Sequence, residues 1–279
     1  MRDNGIPEAQ GLTGLDWFAG LAKEALGRLV LVRDQEGAVV RQDHLDHFLR
    51  VLREPRAVDP TVLLAEMMTR QLDPATVACL YAPAAARHLG EGWAADEISF
   101  IDVTIGTEKL HGLVRKVDEL LAEVRPATGP SALILVSEAE QHTLGALVLA
   151  LELRLAGFSA MVRVAPMPME LTQLMAGNRF DLALVSLGCT AALESGVSLV
   201  RTLRLLSRNN DLCIFVGGAI PVADAVLLKE TGADRVLRDA SALKSEYDSC
   251  RGGRQLDRDR KRSQRNVVQA LLKGDGVDQ

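Results

Sequence analysis

Two hydrophobic rhythms divide most of the chain. From Pro60 to Val124 apolar residues recur at helical spacing. They predict helices over Val62 to Leu72 and Ala75 to Leu89, a short helix from Asp96 to about Val103, and a longer one from Thr107 to Val124. The pair Asp73-Pro74 reads as an N-cap followed by a first-turn proline, and Gly90 with Gly92 reads as a stop. Four helices joined by short turns predict a small bundle. After a Pro, Thr and Gly linker, Pro126 to Pro130, the rhythm changes. Strands over Ala132 to Val136, Ala160 to Val164, Asp181 to Ser186, Leu212 to Val216 and Arg235 to Leu237 alternate with helices over Leu144 to Ala156, Glu170 to Ala176, Glu194 to Ser207 and Val222 to Thr231. That alternation predicts an α/β fold, a doubly wound, Rossmann or flavodoxin-like sheet of five parallel strands with right-handed crossovers.

The flanks are less regular. Leu15 to Leu29 has helical periodicity, Leu29 to Val32 and Ala38 to Val40 suggest a hairpin, and Asp43 to Leu52 suggests another helix. This region reads either as an appended interaction module or as an arm on the next domain. Beyond Ser241 the apolar pattern weakens. From Arg251 the chain turns basic through Arg254, Arg258, Arg260, Lys261, Arg262 and Arg265, which points to a solvated or disordered tail, or to a weak DNA contact through released counterions. The domains expected are 1–59, an N-terminal extension; 60–125, a four-helix-bundle cap; 131–240, the α/β domain; and 241–279, a C-terminal segment.

Composition narrows the class. The chain has 279 residues and a net charge of −5, with 48% apolar residues, enough for one or two ordinary cores. No apolar run approaches the roughly 20 residues of a membrane span, and the N-terminus lacks a signal-peptide pattern, so a cytoplasmic protein without a membrane partner is expected. Cys79, Cys189, Cys213 and Cys250 lack paired metal-ligand spacing and read as small core residues rather than redox groups. His44 and His47 share a helix face that reads as solvated. A catalytic Ser-His-Asp order, a phosphate-binding loop and a paired-carboxylate site are all missing, which puts binding and signalling ahead of catalysis.

The chemistry concentrates at three strand ends. Glu140-x-His142-x-x-Gly145 follows the first strand, Ser186-Leu187-Gly188 the third, and Gly217-Gly218 the fourth. In a parallel sheet all three converge on the carboxyl rim, where open α/β sheets bind ligands. The arrangement resembles the cobalamin-binding domain of methionine synthase and the mutases, whose pattern is Asp-x-His-x-x-Gly, Ser-x-Leu and Gly-Gly. The resemblance implies that His142 is the lower ligand to cobalt and that Gly145 lies close to the cofactor's displaced nucleotide tail. It also implies that Ser186 hydrogen-bonds the buried base and that Gly217 and Gly218 leave room for it. Two departures stand out: Glu140 replaces the family's Asp, and Gly188 replaces its Leu. The carboxylate that orients the imidazole would then come from a longer side chain.

The bundle carries a second likeness. Gly90-Glu91-Gly92-Trp93 resembles the segment that caps the cofactor's upper face in corrinoid-protein bundles. Where light-sensing CarH-type repressors carry Glu-His, this chain has Val103-Thr104, so Val103 and Thr104 are expected at the upper face without a ligand. The segment Phe100-Ile101-Asp102-Val103-Thr104-Ile105-Gly106, with Trp93 before it and Glu-Gln-His-Thr-Leu-Gly after it, resembles the AerR/PpaA antirepressors of purple photosynthetic bacteria. From about Pro60 to Asp239, that resemblance implies a light-responsive regulator that binds adenosyl-, methyl- or hydroxocobalamin and acts on a transcriptional repressor of photosynthesis genes. Loss of an alkyl group in light would open cobalt's upper position to water, His44, His47 or His111. The alternatives are a corrinoid shuttle subunit of a methyltransferase system and a haem-binding redox sensor.

Overall fold

The computed structural model describes residues 22, 23, 25, 39–54, 56, 58–124, 126, 128–140 and 142–255. Most of the predicted hairpin and of the Leu15 to Leu29 helix lies outside the described residues, as do Gln141 and the basic run after residue 255; Val39 and Val40, the end of that hairpin, are described and form no strand. Two compact units emerge: Met1–Gly129 with Thr143–Ser159, and Pro130–His142 with Ala160–Gln279.

In the first unit, helix α1 (Gln42–Arg53) buries Leu45, Phe48, Leu49 and Leu52, one apolar stripe at helical spacing. These residues share a core with α2 (Pro60–Met68) and with the helical run α3, made of Pro74–Thr76, a π turn Val77–Tyr81 and Ala82–Ala94. The same core includes α4 (Phe100–Val124) and α5 (Leu144–Leu155). The first turns are capped as carboxylates cap best: Asp59 accepts the Thr61 N–H at 2.7 Å and Asp73 the Thr76 N–H at 2.8 Å. The π turn precedes Pro83, whose missing N–H and bulky ring do not fit a regular helix interior.

Two expectations fail here for packing reasons. Helix α3 runs through Gly90 and Gly92 rather than stopping at them, and Gly92 accepts the Glu97 and Ile98 N–H groups that close its end. The short helix expected from Asp96 and the longer one from Thr107 are one helix. Ser99 opens it, accepting the Asp102 N–H at 3.1 Å and donating to the Asp102 carboxylate at 2.8 Å. Gly106 does not break that helix; it admits Leu89, whose Cδ1 would lie 2.7 Å from a Cβ there.

In the second unit, the described residues hold five parallel strands in the order β2-β1-β3-β4-β5. They are β1 (Ser131–Val136), β2 (Ser159–Val164), β3 (Leu182–Ser186), β4 (Cys213–Gly217) and β5 (Arg235–Leu237). Helices α6 (Pro168–Gly177), α7 (Ala192–Leu206) and α8 (Asp224–Thr231) complete the alternation, all within two residues of the predicted bounds. β1, β3 and β4 are nearly continuous buried apolar runs, as a sheet covered on both faces requires. This order is the flavodoxin-like one, and its topological switch falls between β1 and β3.

The C-terminal region departs from expectation. Residues 243–255 form a ninth helix, α9, among the described residues. It buries Leu243, Tyr247 and Cys250, a stripe at spacings of four and three, in a stretch where the apolar pattern weakens along the chain. Arg251 and Arg254 are therefore helical rather than tail, and Arg254 pairs with Asp234 at 2.7 Å. Cys213 and Cys250 form a disulfide with Cα atoms 6.5 Å apart, correcting the reading of both as isolated core thiols; only the fold of α9 brings them together. Cys79 and Cys189 are half-buried thiols outside this disulfide.

Candidate functional site

The strand register assembles the site. Val136, Ser186 and Gly217 are aligned across β1, β3 and β4, and Leu237 of β5 continues the row. The loops leaving these positions carry Glu140 and His142, Leu187 and Gly188, and Gly218. The three motif pieces therefore meet at the carboxyl rim, at the switch between β1 and β3 where this strand order holds its ligands.

The loop after β1 turns tightly, with the Glu140 N–H donating to the Ser137 carbonyl at 3.0 Å. This buries Glu140, which is 5% exposed, and leaves His142 exposed. The Glu140 carboxylate accepts the backbone N–H of His142 at 2.7 Å through Oε1. It grips the main chain of His142 rather than its imidazole. Glu140 Oε2 and Ser137 Oγ are buried without a hydrogen-bond partner. Burying polar atoms unpaired is costly, and such atoms gather where something is to be bound.

The glycines have separate reasons. Gly218 has φ +118°, and a Cβ there would press on the Leu187 backbone; at Gly217 one would meet the Leu237 carbonyl. Both glycines draw strand ends together: Leu187 N–H donates to the Gly217 carbonyl at 2.7 Å, and Ile220 N–H to the Leu187 carbonyl at 3.0 Å. Gly145, in the first turn of α5, faces open space. Ser186 is half-buried. Arg238, which no sequence motif marks, fastens the loop after β4 by donating to the Gly218 and Ile220 carbonyls at 3.1 and 2.8 Å and to Asp224 at 2.9 Å. Nothing in the local pattern of Ser137 distinguishes it from an ordinary loop residue, whereas Gly188 stands out as a departure from the Ser-x-Leu pattern.

The helical unit places its own candidates. Trp93, in the last turn of α3, is 54% exposed, and Phe100 and Ile101 at the start of α4 are exposed as well. Val103 is half-buried against the helical core, and exposed Thr104 donates its hydroxyl to the Phe100 carbonyl at 2.8 Å.

Neither His44 nor His47 lies on a solvated face. His44 is buried with Nδ1 unpartnered, its ring 6.2 Å from that of Tyr81. His47 meets Glu66 through Nε2 at 2.7 Å, and its Nδ1 faces Arg50 and Arg70 at 2.7 and 2.9 Å. The apolar stripe of α1 turns both rings inward. His111 Nε2 lies 3.2 Å from the Thr143 hydroxyl, and burial pushes its pKa below the ordinary histidine value against the opposing pull of Glu108.

Chemically, the rim offers one exposed imidazole on a loop braced by a buried carboxylate. Among the described residues no group of three or more His, Cys, Asp or Glu side chains could hold a bare metal ion.

The five parallel strands and their helices define an α/β, Rossmann-like fold. The monomethylamine corrinoid protein of Methanosarcina barkeri superposes with a TM-score of 0.58 at 18% identity, covering 75% of this chain and all of that one. No family model matches. The chain belongs to the family of the uncharacterized 20.5 kDa protein of the bchF-crtJ intergenic region of Rhodobacter capsulatus. It is 40% identical to that protein over 169 residues, 60% of this chain and 88% of the relative. Among the described residues no helix is long and apolar enough to cross a membrane.

Proposed function

We propose that this chain is a cobalamin-binding regulator, an antirepressor of the AerR/PpaA kind, with His142 as the lower ligand to cobalt. The observation that carries the reading is the placement of His142: exposed at the β1/β3 switch, on a loop braced by buried Glu140, beside Ser186 and the Gly217-Gly218 strand end. The residues present fit such a group. Two orphaned buried polar atoms, Glu140 Oε2 and Ser137 Oγ, lie in the loop that carries the histidine. Cobalamin would supply a metal whose upper ligand light can remove.

The chain's own residues divide the remaining work. His142 would donate a nitrogen to cobalt, and Glu140 holds its backbone. Val103 and Thr104, standing where CarH-type proteins have Glu-His, leave the upper position to water or a histidine. The described candidates for that histidine each carry a local cost. His47 would surrender its contacts to Glu66 and two arginines, His111 its contact with Thr143, and His44 its burial. A change of upper ligand alters partner binding only through unequal contacts in the two states, and the partner proposed is a transcriptional repressor. Kinship with a protein encoded between bchF and crtJ of a purple bacterium supports this reading.

The test is reconstitution of the full chain with adenosyl-, methyl- and hydroxocobalamin and with haem, in dark and light, beside His142→Ala. Cobalamin uptake with a light-dependent spectrum, lost or shifted in His142→Ala, is the expected result. An unchanged spectrum in His142→Ala overturns the ligand assignment, and equal repressor affinity in dark and light overturns the switch. The likeness to a corrinoid protein favours one other reading, a methyltransferase shuttle subunit. Methyl transfer from the methylcobalamin-loaded chain to an acceptor in the presence of a partner enzyme would establish it.

A further inference from the structure

The two departures from the cobalamin-domain pattern touch each other. A Cβ built on Gly188 would lie 2.6 Å from the Glu140 Cδ and 2.8 Å from its Oε1, and closer still to Oε2. Carbon atoms do not approach so closely, so any side chain at 188 displaces this carboxylate. The carboxylate has little freedom to yield. It is buried, its Oε1 holds the His142 N–H at 2.7 Å, and the turn beneath it is closed by the Glu140 N–H on the Ser137 carbonyl. A shorter Asp at 140 would withdraw the carboxylate from Gly188 and free that space for a side chain.

We propose that Gly188 is a positioning residue for His142: its missing side chain makes the room into which the longer Glu140 reaches, so that residues 140 and 188 are matched in size across the β1 and β3 loops. Glu belongs with Gly, and Asp belongs with a side chain. Either mismatch lets the loop after β1 lose the hydrogen bond that sets the backbone of His142. The role of His142 as a cobalt ligand rests on the function proposed above; the size matching itself rests on the contact between Gly188 and the Glu140 carboxylate.

The experiment is a double-mutant cycle in the full chain: Gly188→Ala, Glu140→Asp, and the two together. Hydrogen exchange of the unloaded proteins reads protection of peptides covering residues 137–143. Hydroxocobalamin titration followed by absorbance reads affinity and the coordination of the imidazole. Each single variant is expected to speed exchange in that loop and to weaken cobalamin binding about tenfold or more, the effect typical of losing a group that orients a metal ligand. The double variant is expected to recover most of both losses. Gly188→Ala with unchanged exchange, or a double variant whose losses simply add, overturns the matching. If wild-type protein takes up no cobalamin while the exchange data still show recovery in the double variant, the cofactor reading fails and the matching stands.

Discussion

Gly218→Ala is the most quantitative test of how the rim is built. The substitution puts a side chain on a backbone with φ +118°, where its Cβ would lie 3.0 Å from the Leu187 carbonyl carbon and 3.2 Å from its nitrogen. An L side chain in that region costs about 1–3 kcal/mol in backbone strain. The obstructing atoms are main chain, so relief requires moving Leu187, which holds the Gly217 carbonyl at 2.7 Å and the Ile220 N–H at 3.0 Å. Weakening both adds about 1 kcal/mol each. The expected loss is about 3–5 kcal/mol, a large share of the roughly 5–15 kcal/mol that stabilises an ordinary domain. Urea unfolding followed by far-ultraviolet circular dichroism measures it. Gly177→Ala is the control, because a Cβ at this last residue of α6 meets nothing within 4 Å. A Gly218→Ala loss within about 0.5 kcal/mol of the control, the scatter of ordinary surface changes, would refute the claim that close strand approach demands this glycine.

Two further outcomes follow from the helical unit. Lys109 is buried and donates its ammonium to the Val51 and Glu54 carbonyls at 3.1 and 2.6 Å, capping the end of α1, while burial holds its pKa below the ordinary lysine value. Lys109→Met loses both bonds but escapes the burial of a charge, so a net loss of about 2 kcal/mol is expected in thermal or urea unfolding. His111 has its pKa lowered by burial, so the unfolded chain takes up the proton more readily than the folded one. The stability tied to this residue is thus complete above the unfolded value of about 6.5 and falls as pH drops through the lowered folded value. His111→Gln is expected to flatten that part of the stability profile between pH 7 and pH 5.

The patterns most legible in the sequence were those with a period. Strands β1, β3 and β4 announced themselves as apolar runs, α1 as a stripe, and α5 by its spacing. Their order along the chain implied a parallel sheet and placed His142, Ser186 and Gly217 at one rim, because in a parallel sheet every strand ends on the same side. Asp73 before Pro74 was legible for a similar reason: capping chemistry is local. Glycines were less legible. Gly90 and Gly92 looked like stops, yet Gly92 accommodates Ile98, as Gly106 accommodates Leu89, partners that local pattern does not reveal.

What the sequence determined by itself, then, is the succession of elements and the residue types at the rim, since both follow from short-range periodicity and connectivity. The tertiary structure decided which residues meet. It brought Cys250 to Cys213 across 37 residues, turned His44 and His47 inward, and set Arg238 against the loop after β4. It also placed the Glu140 carboxylate against Gly188 and on the backbone of His142. Those contacts depend on how the loops pack in three dimensions, where a single missing side chain decides what space a buried carboxylate can fill.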